Sequence, residues 1–272
     1  MKTNNLIRMI LFPLLLINLT LAACATSTDS GAVGIDRKQL LAVPREQVDQ
    51  MALQSYTQVK NEASAKGQLD TNKEQLRRVT AVSKRLIPQV RVFRKDALGW
   101  PWEVHVITSP EINAYCMPGG KIAFYSGIIE KLNMTDDEIA AVMGHEMAHA
   151  LREHGRERVS EGFAQQGLLA VAVATGLLDE KYAQYASLGS TFLLTLPNSR
   201  RQESEADHIG LELMARAGYN PRLAVGLWQK MSALGGSKPP QFLSTHPADE
   251  TRIAQIQAWI PQVAPLYEAA QK

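Results

Sequence analysis

His145-Glu146-Met147-Ala148-His149 is the stretch of this 272-residue chain that decides how the rest is interpreted. It reads H-E-x-x-H inside a segment, 136–158, that is predicted to be helical. Residues four apart lie one turn apart on the same helix face, so the imidazoles of His145 and His149 can face one metal ion. Glu146 lies beside the first of them and can reach a water bound to that metal. The pattern is typical of a zinc metallopeptidase site, although two surface histidines on an alanine-rich helix would give the same letters.

A catalytic zinc needs a third protein ligand and an open position for water. The predicted helix 199–211 offers Glu203, four residues before Asp207, so that the two carboxylates share a face. We expect Glu203 to be the third ligand and Asp207 to accept the free ring N–H of a ligand histidine. Glu205 is the alternative ligand, but on a helix it points roughly 200° away from Glu203. A solvated, acidic first helical turn is the structural alternative for the whole segment.

Four blocks of sequence occur in a specific order between about residues 100 and 256. They are Asn113-Ala114-Tyr115 through Pro118-Gly119-Gly120 to Tyr125; Val142-Met143-Gly144 followed by the H-E-x-x-H stretch; Ser199-Arg200 through Glu203 to Ala206-Asp207; and, more weakly, His246-Pro247 with Arg252. In this order they resemble the gluzincin-type zinc metallopeptidases of family forty-eight, which includes the HtpX-like, CAAX prenyl and Oma-type proteases. The similarity is greatest to the bacterial periplasmic lipoprotein members. The resemblance implies an α+β fold: a mainly helical zincin-like domain with a small β-sheet beside the active-site cleft and one zinc ion per chain.

Alternating and β-branched residues predict three strands around a tight turn at 118–120. These strands are 102–107, 114–116 and 122–125. The resemblance implies that one strand borders the cleft, where Asn113, Ala114 and Tyr115 would pair with an extended substrate through main-chain hydrogen bonds. An ordinary core hairpin is the alternative.

The predicted site also implies a mechanism. Zinc lowers the pKa of a bound water toward about 7, so that hydroxide is available for attack on the peptide bond. Glu146 takes the proton as general base and then protonates the leaving amine. The developing oxyanion needs further donors, and His246 or Arg252 can supply them. Some periplasmic relatives are kept latent by a histidine of the His-Pro loop, so His246 has two other candidate roles: a removable fourth zinc ligand, or a cap on the last helix.

The first residues are typical of a bacterial signal peptide. Lys2 and Arg8 precede a short apolar run, 9–21, which is followed by Leu21-Ala22-Ala23-Cys24. This ending resembles the lipobox, which would place lipid on Cys24 and, with Ala25 next, anchor the protein to the outer membrane facing the periplasm. Ordinary secretion, with Cys24 in the discarded peptide, is the alternative. The small polar residues of 24–36 predict a flexible, lipid-anchored tether.

The rest of the chain, 37–272, is predicted to be a single metallopeptidase domain, with a helical N-terminal part at 37–95 and a catalytic core at about 100–256. The formal net charge is +2, and without a basic patch we expect no nucleic-acid partner. The apolar segment 168–178 is too short to span a bilayer and is predicted to be a buried helix, with a mobile flap as the alternative.

We therefore expect a zinc-dependent metalloendopeptidase of the bacterial envelope that cleaves misfolded or stalled proteins for quality control. Its expected partners are unfolded or misassembled envelope proteins and, through Cys24, the membrane. The alternative is a non-proteolytic, zinc-stabilised chaperone or assembly factor for outer-membrane proteins. The enzyme is favoured because Glu146 is present although zinc binding does not require it.

Overall fold

The computed structural model describes residues 24–165, 197–234, 240–247 and 250–272. The predicted signal peptide, 1–23, and the apolar segment 168–178 lie outside these residues. The strands are β1 (Cys24–Ala25), β2 (Gln39–Leu40), β3 (Glu103–Ile107), β4 (Ala114–Met117) and β5 (Lys121–Tyr125). The helices are α1 (Arg45–Ala65), α2 (Lys73–Leu86), α3 (Ser126–Lys131), α4 (Asp136–Leu151), α5 (His154–Gln165), α6 (Arg200–Arg216), α7 (Leu223–Ala233), α8 (Gln241–Thr245) and α9 (Glu250–Ala270). Two short 3-10 helices, Ile87–Val92 and Lys95–Gly99, follow α2.

Capping boxes fix where the two central helices begin. At the start of α4, the Thr135 hydroxyl accepts from the Glu138 amide at 3.3 Å, and the Glu138 carboxylate accepts from the Thr135 amide at 2.9 Å. Ser199 and Gln202 exchange the same pair of hydrogen bonds at the start of α6, at 3.2 and 3.1 Å. Each box satisfies two amides that a helix start leaves without intrahelical partners. The phase of both helices is therefore set by local sequence.

The three-stranded sheet has the strand order β3-β5-β4, with β3 parallel and β4 antiparallel to β5. Ala114 lies opposite Phe124, and the chain reverses between the two strands at Gly119 and Gly120, whose φ angles are 77° and 78°. Such positive φ values suit glycine because a Cβ would clash there. β4 is thus an edge strand of the sheet that the described residues form, and the predicted α+β class, mainly helical with a small sheet, is confirmed.

Helix α4 is buried along nearly its whole length and packs against α6 and β4. Two glycines face each other where α4 crosses α6. A Cβ on Gly210 would lie 2.8 Å from the His145 amide nitrogen, and a Cβ on Gly144 would lie 2.9 Å from the Gly210 carbonyl oxygen. The two backbones are in direct contact because neither residue carries a side chain.

Residues 24–36, predicted to be a flexible tether, instead lie against the domain. Cys24–Ala25 pairs with Gln39–Leu40, and Val33 is buried, with its amide donating to Glu212 Oε2 at 2.9 Å. The polar composition of the segment suggested no such order, because the partners of its backbone lie far away in sequence. We call residues 24–41 the N-terminal arm. Within the described part of the chain, no helix is both long and apolar enough to cross a bilayer.

Candidate active site

Four buried side chains from three elements converge beside β4. His145 and His149 come from α4, Glu203 from α6, and His246 directly follows α8; one ligand atom of each lies within 4.8 Å of all the others. The two Nε2 atoms of His145 and His149 are 3.0 Å apart. Glu203 Oε1 lies 3.2 Å from His149 Nε2 and 2.9 Å from His246 Nδ1. The structure therefore brings together the three ligands predicted from the sequence, with a second histidine-bearing segment beside them.

The contacts behind the two α4 histidines determine where their lone pairs point. His145 Nδ1 lies 2.9 Å from Asp207 Oδ1, and because a carboxylate only accepts, this nitrogen carries the proton. His149 Nδ1 lies 2.8 Å from His154 Nδ1, and His154 Nε2 lies 3.1 Å from Glu205 Oε2. Nε2–H of His154 donates to the Glu205 carboxylate, so Nδ1 of His154 carries no proton and accepts from Nδ1–H of His149. Both Nε2 atoms consequently present lone pairs to the same point.

This donor set fits a zinc ion. Two nitrogen lone pairs and a carboxylate oxygen at hydrogen-bond distance repel one another unless a cation lies between them, and imidazole with carboxylate is a common catalytic zinc set. Among the described residues, Glu146 Oε1 is buried and accepts no hydrogen bond, and Glu203 Oε2 forms an ion pair with Arg252 Nη1. Burial opposes ionisation of Glu203, but the charges of His246 and Arg252 outweigh it and hold the pKa of the carboxyl well below its usual range. Glu203 is therefore a carboxylate, as a ligand must be.

Arg252 lies behind the ligands. Its guanidinium donates to both oxygens of Asp207, at 2.6 and 2.8 Å, and its Nη1 is 2.7 Å from Glu203 Oε2. It also donates to the Pro247 carbonyl at 2.9 Å and stacks 3.5 Å over the Trp228 ring. The structure thus does not present Arg252 to the cleft as the expected oxyanion donor. Its donors contact the two carboxylates and the His-Pro loop. Arg252 therefore holds these groups in position.

The cleft is bordered by β4, the end strand of the sheet. Residues 113–117, Glu146, His149 and His246 all line it. Glu146 Oε1 is 3.4 Å from His246 Nε2. Burial raises the pKa of Glu146, although the charges of His246 and His145 partly offset this. A buried carboxyl with a raised pKa is the property expected of a proton acceptor near neutral pH.

Sequence reasoning missed two contributors to the site. His154 begins α5 and supports His149 from behind; on a continuous helix a residue five positions later would not share the face of His149, so the spacing gives no signal for this role. Arg158, one turn further along α5, lines the cleft and hydrogen-bonds Asn198. Glu205, the alternative zinc ligand, lies outside the cluster because its carboxylate is turned toward His154 and Arg152.

The geometry agrees with what comparison with known proteins shows. The model of peptidase family M48 matches residues 73–260. The chain belongs to peptidase family M48. Residues 73–260 accordingly form a domain of the zinc metallopeptidase type, and the prediction of one zinc ion per chain is confirmed by the family together with the four-residue cluster.

Several M48 relatives are named proteases. The mitochondrial metalloendopeptidase OMA1 of Schizosaccharomyces pombe is 39% identical over 163 residues, which cover 59% of this chain and 47% of the relative. Metalloprotease LoiP of Escherichia coli is 29% identical over 176 residues, 64% of this chain and 69% of the relative. The beta-barrel assembly-enhancing protease of Escherichia coli is 27% identical over 184 residues, 64% of this chain and 38% of the relative. The chain spans half or less of the length of the OMA1 proteins it matches.

Proposed function

We propose that this M48 protein is an endopeptidase of the bacterial cell envelope that cleaves unfolded or misassembled envelope proteins as part of protein quality control. The observation that carries the proposal is the position of β4, an edge strand whose residues line the same cleft as Glu146 and His149. A chain bound along this strand lies beside the buried carboxylate.

The residues divide the chemistry between them. His145, His149 and Glu203 hold zinc, which when bound makes water more acidic and polarises the scissile carbonyl. Glu146 accepts the proton of the attacking water and returns it to the leaving amine, and its raised pKa suits both transfers. Asp207 fixes the ring of His145, and Arg252 holds Asp207 and Glu203 in place. Glu146 is the residue that separates a protease from a zinc-stabilised binding module.

Main-chain pairing explains a preference for unfolded substrates. Asn113, Ala114 and Tyr115 lie at the start of the edge strand, and an added strand would form hydrogen bonds with backbone rather than with particular side chains. Only a chain that is locally extended and unpaired can add in this way. Recognition is therefore tolerant of sequence and selective for the unfolded state.

The cellular location rests on sequence. Lys2, Arg8 and the apolar run before Leu21-Ala22-Ala23-Cys24 support export and attachment of lipid to Cys24 at the periplasmic face of the outer membrane. One M48 relative named a beta-barrel assembly-enhancing protease supports a function among outer-membrane proteins. Lipid attachment is tested by mass spectrometry of the protein expressed in bacteria with and without Cys24→Ala.

His246 is close enough to the proposed zinc ligands to act as a latch, that is, as a removable ligand that blocks the site. Its Nδ1 lies 3.1 Å from His145 Nε2 and 2.9 Å from Glu203 Oε1, and its ring stacks on Phe242. We propose that His246 is a removable fourth ligand that occupies the position needed by water in the resting enzyme.

The substrate preference is tested with one outer-membrane β-barrel protein in two states. The purified chain is incubated with the barrel unfolded in dilute urea and with the same barrel refolded in detergent. We expect wild type to cleave the unfolded form and spare the folded one, and Glu146→Gln to cleave neither. Equal cleavage of both forms contradicts strand addition. If wild type binds the unfolded barrel without cleaving it, the result favours the alternative function, a non-proteolytic assembly factor.

A further inference from the structure

Behind the proposed zinc ligands lies a network of four charged groups, in which Arg152, Glu205 and Glu157 are buried and Arg37 is partly exposed. Glu205 accepts hydrogen bonds from His154 at 3.1 Å, from Arg152 at 3.1 and 3.2 Å, and from Arg37. Arg37 also donates to both oxygens of Glu157, at 2.5 and 2.9 Å. Two guanidinium groups thus neutralise two carboxylates, and the network ends at the ring that supports His149.

The N-terminal arm supplies one of the two cations. Arg37 belongs to the arm, and Gln39 beside it donates to Glu157 Oε2 at 3.1 Å and to the Arg152 carbonyl at 2.6 Å. In return Arg152 donates to the hydroxyls of Thr26 and Thr28, at 2.9 and 3.1 Å. The arm is therefore bound to the network at several points, far in sequence from the residues that it supports.

We propose that Arg37 of the N-terminal arm positions the zinc ligand His149, acting through Glu205 and His154. The proposal rests on His149 being a zinc ligand. In this proposal the N-terminal arm, which begins at the proposed lipid anchor, helps to position a zinc ligand.

The effect of Arg37 follows from its place between two carboxylates. Without it, Glu205 keeps its hydrogen bonds from Arg152, Glu157 keeps only those from the neutral Gln39 and Gln202, and the repulsion between the two carboxylates is no longer balanced. The carboxylate of Glu205 then turns away from His154, whose Nδ1 is no longer fixed as the acceptor for His149. A ligand histidine without a fixed outer partner binds metal less tightly, typically by about 10–100-fold.

The test measures zinc affinity rather than peptide cleavage. The dissociation constant for zinc is obtained by competition with a chelating dye for wild type, Arg37→Ala, Arg37→Lys and Lys38→Ala, together with the melting temperature of each metal-free protein. Lys38 is the matched control, because it is the exposed neighbour in the same arm and its removal changes the charge equally. We expect zinc affinity to fall by about 10-fold in Arg37→Ala, with partial recovery in Arg37→Lys, and to be unchanged in Lys38→Ala.

A double-mutant cycle separates positioning from general stabilisation. Glu205→Gln should weaken zinc binding by about 10-fold, and adding Arg37→Ala to it should change little more, because both substitutions break the same chain of contacts. A lower melting temperature with unchanged zinc affinity in Arg37→Ala overturns the proposal, and so do fully additive losses in the double variant. Zinc affinity can be measured whether or not the protein cleaves peptides. If the wild type binds zinc but is inactive, the proposed function is refuted, and the comparison of zinc affinities still tests the role of Arg37.

Discussion

The contact between Gly144 and Gly210 predicts that one added methyl group disturbs the zinc site. In Gly210→Ala, the new Cβ would lie 2.8 Å from the His145 amide nitrogen and 3.0 Å from the His145 Cα. Uncrowded contacts of this kind are about 3.5 Å, so α4 and α6 must separate by roughly 0.5–0.7 Å. Because all the clashing atoms are backbone, no side-chain rotation relieves them.

Separation of these helices has two measurable effects. Overpacking of this kind costs about 1–3 kcal/mol, which lowers the melting temperature by about 2–12 °C in a domain of this size. It also moves His145 relative to Glu203 and Asp207, and active sites tolerate displacements of only about 0.5 Å. We therefore expect Gly210→Ala to bind zinc at least about 10-fold more weakly, measured by competition with a chelating dye beside thermal unfolding of the metal-free protein.

Gly226 provides the control, since it lies within α7 and a methyl group added there would meet only open space. Gly226→Ala should raise stability by up to about 1 kcal/mol through helix propensity and leave zinc affinity unchanged. If Gly210→Ala matches wild type in both melting temperature and zinc affinity, the close contact does not hold the ligands in register and the reasoning is refuted.

Three further predictions concern the site residues themselves. Glu203→Ala removes a ligand and should lower zinc affinity by about 10²–10³-fold. Glu205→Ala should still retain zinc at stoichiometric concentrations in metal analysis. The reverse pattern means that the third ligand was assigned wrongly. His246→Ala should raise peptidase activity if the ring is a latch, and lower activity with unchanged zinc content instead indicates an oxyanion donor. Activity should fall on the acidic side with a midpoint above 4.5, the ordinary pKa of glutamate, because burial raises the pKa of Glu146 and its protonated form cannot accept a proton. A midpoint at or below that value in the pH dependence of kcat/KM argues against Glu146 as the base.

Local spacing was sufficient to predict the inner part of the site. His145 and His149 are one helical turn apart, and Glu203 and Asp207 are one turn apart, so each pair shares a face whatever the rest of the fold does. The capping boxes at Thr135 and Ser199 then fix the start of each helix. The strands around Gly119 and Gly120 were likewise predictable from turn residues and β-branched alternation.

The outer support could not be predicted in this way, because it depends on contacts between distant segments. α4 ends at Leu151, and Glu153, with φ of 52°, turns the chain so that His154 meets His149 from behind. Arg37 reaches Glu205 across 168 positions of sequence, directly after the segment 24–36 that was predicted to be a tether. Local composition indicates neither contact, and for the same reason Arg252 was expected in the cleft rather than behind Glu203.

The most direct test of the central claim is cleavage of casein, an unfolded protein, by the purified chain, with zinc content measured on the same samples. Wild type should cleave casein, and a zinc chelator should abolish cleavage. Glu146→Gln should contain as much zinc as wild type and yet lose cleavage by a factor of at least about 10², since the general base alone contributes that much. Full activity of zinc-loaded Glu146→Gln would contradict the account, because the cleft would then cleave peptides without the carboxylate on which the mechanism depends.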